Sequence, residues 1–241
     1  MTRDIEKYAE DYLKDDFEYV LSYYRKQLLL SILIKYNANN IIDIGPAYNF
    51  LFNDYANFES YTIIEPSIVM CDKIKPKNNV RVVNDVFENV YKEFKDKNID
   101  FIISSGLLHE IEDQDTYLNC IKEVCNKDTI LHISVPNCES FHLVFAKEAG
   151  IIKEMGKLTD YSIQMQRCRT YNSKTLEEVI TAHGFMVIEK GPFYLKLFNQ
   201  SKMQQCIELG ILTKDLLEAL YKMVKYMPDL SAETWINARI L

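Results

Sequence analysis

Apolar positions recur along this chain with two different periods, and the change from one to the other sets out its elements. From Ile5 to Tyr36 the spacing is helical, with a break near Asp15-Asp16, after which Phe17, Val20, Leu21, Tyr24, Leu28 and Ile32 share one face. From residue 40 onward short apolar runs take over. Ile41-Ile44, Tyr61-Ile64, Val80-Val83, Ile99-Ile103 and Thr129-Val135 are apolar on both faces, as strands of a buried parallel sheet are. Helical patterns separate them, among them Gln114-Asn126. Ser173-His183 follows as a further helix, with Ser173 as its start signal and Gly184 as its stop. Phe185-Glu189 and Phe193-Phe198 flank Lys190-Gly191-Pro192, which predicts an antiparallel hairpin. Leu209-Met227 and Ala232-Ile240 read as closing helices.

With 241 residues, 48% of them hydrophobic, the chain can bury a substantial core, and the pattern predicts one α/β domain spanning 1–241. Residues 1–36 form a helical cap, 138–170 an insertion placed as a substrate lid, and 200–241 C-terminal helices. A net charge of -7 argues against an extended nucleic-acid surface, and aromatics are not interleaved with basic runs. No window approaches the length of a membrane span, and the acidic start Met1-Thr2-Arg3-Asp4 lacks a signal-peptide core, so a cytoplasmic location is expected. The six cysteines show neither Cys-x-x-Cys nor zinc spacing, so free thiols and no metal are expected. Oligomeric state is open at this stage.

Candidate chemistry gathers at the ends of the strands. Gly45-Pro46-Ala47-Tyr48-Asn49 makes a turn with little side-chain bulk after the first strand, and the second strand ends on Glu65, twenty positions after Gly45. That is the spacing at which an acid reaches the ribose of a nucleoside bound over the turn. The third strand leads to Asp85-Val86, where Asp85 either faces an adenine or caps the following helix. The fourth ends on Ser104-Ser105-Gly106. Among the histidines, His109 lies just beyond the fourth strand and is the first choice for a base, with His142 in the insertion second. His132 lies within an apolar strand and reads as a core residue, and His183 as a helix-end residue. Tyr23 and Arg25 are candidates for a ligand carboxylate, and Arg167, Arg169 and Lys196 for an anionic acceptor.

Five strands alternating with helices, followed by a helix and a hairpin, resemble the class I S-adenosylmethionine-dependent methyltransferases, over roughly residues 20–200. The resemblance implies a Rossmann-like seven-stranded mixed sheet with its last strand antiparallel, flanking helices, an N-terminal helical cap and C-terminal helices. Asp43-Ile44-Gly45-Pro46-Ala47-Tyr48-Asn49 is similar to the family's Asp-x-Gly-x-Gly-x-Gly turn, with Ala47 and Asn49 at the later glycine positions. It implies S-adenosyl-L-methionine as cofactor, held by Asp43, Gly45, Pro46, Ala47, Glu65, Asp85, Val86, Ser104 and Ser105. The run Ile99 to Ile111 looks like the block after the fourth strand in small-molecule members. Asn137, the Ser140-Phe141-His142 run and the Arg169-Thr170-Tyr171 approach look like the branch acting on small metabolites, including precursors of surface polysaccharide. The implied reaction is methyl transfer to oxygen or nitrogen of a small polar acceptor. A nicotinamide dehydrogenase, whose Gly-x-Gly-x-x-Gly is incomplete here, and a non-catalytic domain on the same scaffold are the alternatives.

Overall fold

The computed structural model describes residues 4–12, 16–47, 50–75 and 77–241. Met1 to Arg3, the helix break at Asp15 and the turn residues Tyr48 and Asn49 lie outside these. Two helices, α1 (Ile5–Tyr12) and α2 (Asp16–Tyr36), precede the alternation β1 (Asn40–Ile44), β2 (Ser60–Ile64), α3 (Ile68–Cys71), β3 (Val80–Val83), α4 (Phe87–Val90), β4 (Phe101–Ser105), α5 (Gln114–Val124) and β5 (Ile130–Pro136). The insertion holds α6 (Phe141–Glu148) and α7 (Asp160–Gln164). After it come α8 (Ser173–Ala182), β6 (Phe185–Phe193), α9 (Gln200–Glu208), α10 (Lys214–Met223) and β7 (Glu233–Ile240).

The strands form one seven-stranded sheet in the order β3-β2-β1-β4-β5-β7-β6. β1 to β5 pair in parallel, and β7 runs antiparallel to both of its neighbours, as the resemblance implied. Because successive side chains in a strand point to opposite faces, Ile41 and Ile42 enter different cores. Ile41, Ile63, Phe101 and Ile103 pack with Leu29 and Leu33 of α2 and with Met203 and Leu220 from α9 and α10. Ile42, Ile64, Ile102 and Leu131 pack on the other face with Phe87, Tyr117, Ile121, Leu176 and Ile180, from α4, α5 and α8. The strand order reverses between β1 and β4, so a crevice opens where both strands end.

Three expectations are corrected at the C-terminal end. Lys190-Gly191-Pro192 is no hairpin turn: β6 runs through it as an edge strand paired to β7. A Cβ on Gly191 would meet Trp235 Cζ2 at 2.6 Å, and the Pro192 carbonyl accepts from Trp235 Nε1 at 3.2 Å. The glycine makes room for an indole, and proline is tolerated because an edge strand needs no donor there. Ala232-Ile240 is not a helix either, since β7 occupies Glu233–Ile240 between β5 and β6. Finally, the cap of α8 is Asn172, whose side chain accepts from Thr175 N in a reciprocal capping box, with Ser173 already helical.

Candidate active site

A cavity of about 1620 Å³ opens at the carboxyl ends of β1 and β4, and its walls come from two sources. The first is the sheet itself. Gly45 takes φ +62° as β1 ends and donates its N–H to Ile64 O at 2.8 Å, which ties the turn to β2. A Cβ at Gly45 would lie 3.3 Å from Leu107 Cδ2 on a backbone of positive φ, so a side chain there would be strained and would press on the neighbouring turn. Ala47, at φ +52°, also borders the cavity and carries a side chain in a conformation that costs it about 1–2 kcal/mol. Glu65 is buried on the cavity wall, where its Oε1 accepts from Ser67 N at 3.0 Å. Asp43 lies behind, accepting from the Tyr61 hydroxyl at 2.5 Å. Burial pushes its carboxyl up to about 7, against the lowering effect of the Tyr61 hydrogen bond, and the Glu65 charge adds to the rise.

The second source is the helical additions. Glu6 of α1 reaches across to α3, accepting from Ser67 Oγ at 2.8 Å and from Ile68 N at 2.7 Å. Just before α1, at the same end of the helix, Asp4 and Gln166 exchange hydrogen bonds of 2.7 and 2.9 Å. Helix α1 therefore bridges the cofactor side of the cavity and the insertion, with Tyr8, Ala9 and Tyr12 facing inward. Below it, Arg25 is ion-paired with both Glu18 and Glu233. Glu18 also accepts from Tyr12 at 3.0 Å and from Gln200 at 3.2 Å, which joins α1, α2, β7 and α9 in one buried network.

His109 and Glu110 sit in a short 3-10 turn, Leu108–Glu110, and border the same cavity. Both are buried, with His109 Nε2 3.5 Å from Glu110 Oε1, and the two ring nitrogens of His109 are shielded from solvent. The His109 carbonyl accepts from Cys168 N, which pins the end of the insertion onto this turn. Across from it, His142 opens α6 with Nδ1 2.9 Å from Ser140 Oγ. Burial, then the Lys196 and Arg167 cations beside it, hold its pKa well below the usual histidine range, so the ring is neutral at neutral pH.

The methyltransferase domain family matches residues 12–190, most of the chain. The chain belongs to that family. Among solved structures, it is similar over 98% of each chain, at 13% identity and a TM-score of 0.65, to an S-adenosylmethionine-dependent methyltransferase from Thermotoga maritima described as a possible histamine N-methyltransferase. A second S-adenosylmethionine-dependent methyltransferase, from Mesorhizobium loti, matches at 13% identity and a TM-score of 0.59, covering 88% of this chain and 95% of that one. A third, from Archaeoglobus fulgidus, gives 14% identity and 0.56, over 93% and 99%. At such identities these likenesses speak for the fold. Comparison of the sequence with curated proteins finds no match.

The protein is thus an S-adenosylmethionine-dependent methyltransferase, and its cavity fits that cofactor. The bare backbone at Gly45 and the buried Glu65 carboxylate at the end of the neighbouring strand border one space, which is what a nucleoside with two ribose hydroxyls requires. Bound there, S-adenosylmethionine supplies a methyl group on a sulfonium. Gly45, Pro46, Ala47, Glu65 and Ser105 lie on the cavity wall with Asp43.

Several expected site residues are placed elsewhere or otherwise engaged. Asp85 and Val86 do not line the cavity: Asp85 Oδ1 accepts from Val86 N and from Asn89 Nδ2, both at 2.8 Å, at the start of α4. Asn84 does the supporting work instead, donating to the carbonyls of Glu65 and Pro66 at 3.0 and 2.9 Å. Ser104 is a core residue hydrogen-bonded to the Tyr117 hydroxyl at 2.8 Å. Tyr23 is 55% exposed, outside the cavity, because α2 turns its opposite face inward. Arg25 borders the cavity, but Glu18 and Glu233 engage its guanidinium, so it holds the wall rather than a ligand carboxylate.

Asn137 has its amide committed to the carbonyls of Asp229 and Ser231. Tyr171 is buried off the cavity wall, donating to Gln114 Oε1 at 2.6 Å. Arg169 lines the cavity while donating to Glu112 O at 2.7 Å. Arg167, Lys196, His109 and His142 all border the cavity. His132 is a core residue, 2.8 Å from Asn237 Oδ1, and burial lowers its pKa to about 4. His183 ends α8, its Nδ1 2.8 Å from Val179 O. The six cysteines are free. Among the described residues no helix is long and apolar enough to cross a membrane.

Sequence reasoning assigned no role to Glu110, nor to Glu6, Glu18, Gln200 or Glu233. Nothing local marks them, since each acquires its role from a partner far along the chain.

Proposed function

We propose that this methyltransferase moves a methyl group to an oxygen or nitrogen of a small polar metabolite lying between Glu65 and the wall made by α1, α6 and α9. The observation carrying this reading is that one cavity joins the Gly45–Glu65 end of the sheet to the polar wall around His142. Methyl transfer is an in-line displacement, so the chain's task is to align the acceptor, exclude water and take up a proton. Helix α1 and the insertion exclude water by covering the crevice. For a hydroxyl acceptor, His142 is preferred over His109 as the proton acceptor, because the ring nitrogens of His109 are shielded whereas His142 is neutral and borders the cavity. With Nδ1–H directed at Ser140 Oγ, Nε2 of His142 carries the lone pair. His109, next to Glu110, then positions the turn above the acceptor.

Calorimetry with S-adenosylhomocysteine and with NAD, followed by a screen for methyl uptake, tests this. Tight binding of the first ligand only, with uptake onto a sugar-linked or phosphorylated metabolite, is expected. Binding without uptake by small metabolites of any class sinks the acceptor assignment. In the active enzyme, His142→Ala lowers kcat for a hydroxyl acceptor by about 100-fold or more; an unchanged kcat removes it as the base.

A further inference from the structure

We infer that Glu6 is a positioning residue for the cofactor: through Ser67 it latches α1 over the nucleoside end of the cavity, so that closure of the helix and occupancy of the site favour each other. The inference rests on the reading that S-adenosylmethionine lies against Glu65. Three observations converge on it. Ile5, Tyr8, Ala9 and Tyr12 of α1 border the same cavity as Gly45 and Glu65, which makes this helix part of the cover of that space. The Glu6 carboxylate spans to α3, with Oε2 accepting from Ser67 Oγ at 2.8 Å and from Val69 N at 3.4 Å, and Oε1 from Ile68 N at 2.7 Å. On its other side Ser67 donates its backbone N–H to Glu65 Oε1 at 3.0 Å, so one residue holds both the latch and the acid read as the ribose partner.

The latch is ionic and reversible. Against the raising effect of burial, the hydrogen bonds from Ile68, Ser67 and Val69 lower the pKa of Glu6, so it meets its donors as an anion at neutral pH. Those donors lie at the surface, where Ile68 is 59% exposed, and water replaces Glu6 when the helix leaves. Little apolar contact holds α1 down, since Ala9 is its buried residue, and eight residues are too few for a helix that stands without tertiary support. The second attachment lies at the same end, where the N–H and carbonyl of Asp4 pair with the Gln166 amide. Tyr12, at the opposite end, is held by Glu18 of α2. Opening therefore frees the end of α1 that carries Asp4 and Glu6. A nucleoside gripped by Glu65 steadies Ser67 and, with it, the latch. The coupling is reciprocal: if closure of α1 slows loss of the cofactor, the cofactor must favour closure.

The test follows amide hydrogen exchange of residues 5–12 in the full chain, with and without saturating S-adenosylhomocysteine, and measures the binding and release rates of that ligand by surface plasmon resonance. The ligand is expected to slow exchange in α1 about tenfold. Glu6→Ala should speed that exchange in the free protein and raise the release rate about fivefold or more, while the urea midpoint hardly moves. Glu6→Gln, which keeps an acceptor oxygen without the charge, should recover part of the loss. Glu10→Gln, on the exposed side of the same helix, should change neither reading. Unchanged exchange in Glu6→Ala removes the latch. Faster exchange with an unchanged release rate, or a ligand that leaves α1 exchange as it was, removes the coupling to the cofactor. Failure of S-adenosylhomocysteine to bind the parent would instead remove the cofactor reading at Glu65, and faster α1 exchange in Glu6→Ala would still leave the latch standing.

Discussion

The two walls of the cavity are built in different ways. The cofactor wall comes from Asp43 to Ser67, a stretch in which strand, turn and strand follow one another and parallel pairing brings Ile44 beside Ile64. Its geometry is largely a backbone matter, a left-handed turn at Gly45 and an acid at a strand end. The acceptor wall has no such local origin. Asp4 meets Gln166, Glu18 meets Gln200 and Arg25 meets Glu233 across separations of 162, 182 and 208 residues. One wall is inherited from the sheet, whereas the other is an assembly held by polar pairs between residues far apart in the chain. Changes to the first should therefore act on cofactor affinity or on the local turn, and changes to the second on how the whole molecule holds together.

The largest effect is expected on the assembled wall. Arg25→Met removes the guanidinium shared by the buried Glu18 and Glu233 and should cost about 3–5 kcal/mol, read by urea unfolding. A loss below 1 kcal/mol means that the network is not holding α2 to β7.

On the cofactor wall, Asp43 should make stability depend on pH. Its folded value of about 7 lies above the ordinary 3.8, so its stabilising contribution is complete below that ordinary value and is lost as pH rises through about 7. The loss across that window is about 4 kcal/mol by proton linkage. Asp43→Asn, which can still accept from Tyr61, should flatten this part of the pH–stability profile, and an unchanged slope assigns it to other groups.

Glu65→Gln comes next. It keeps the shape but loses the charge, and should weaken S-adenosylhomocysteine binding by about 10- to 100-fold in calorimetry, with unfolding little changed. An unchanged affinity would mean that Glu65 does not hold the nucleoside.

The smallest expected effect is a gain. Ala47→Gly removes a side chain from a left-handed turn position and should stabilise the protein by about 1 kcal/mol, a rise in Tm of about 2–4 °C. A fall in Tm would show that the alanine side chain contributes more packing than its backbone costs.

The cofactor wall was legible because its signals are short-range. A β-branched run, a glycine and an acid at twenty positions are all visible in one line of sequence. An aspartate before a helix has two uses with one appearance, and in the structure Asp85 accepts from Val86 N and Asn89 Nδ2 off the cavity wall. β7 was missed for another reason. Glu233, Asn237 and Arg239 interrupt its apolar pattern, and the first two are tolerated in a buried strand because Arg25 waits for Glu233 and His132 for Asn237. Gly191-Pro192 looked like a turn because nothing near it announces Trp235, the indole that needs the glycine's empty space.

Periodicity and strand-end chemistry alone determined the parallel half of the sheet, the Gly45 turn and the acid that faces it. Those features arise from residues within a few positions of one another, where covalent geometry leaves few choices. Tertiary structure alone decided that the last segment is a strand, that Arg25 belongs to the wall, and that the ring nitrogens of His109 are shielded from solvent. Each of these depends on which distant group satisfies a buried charge or fills a gap, and a linear pattern does not encode that pairing.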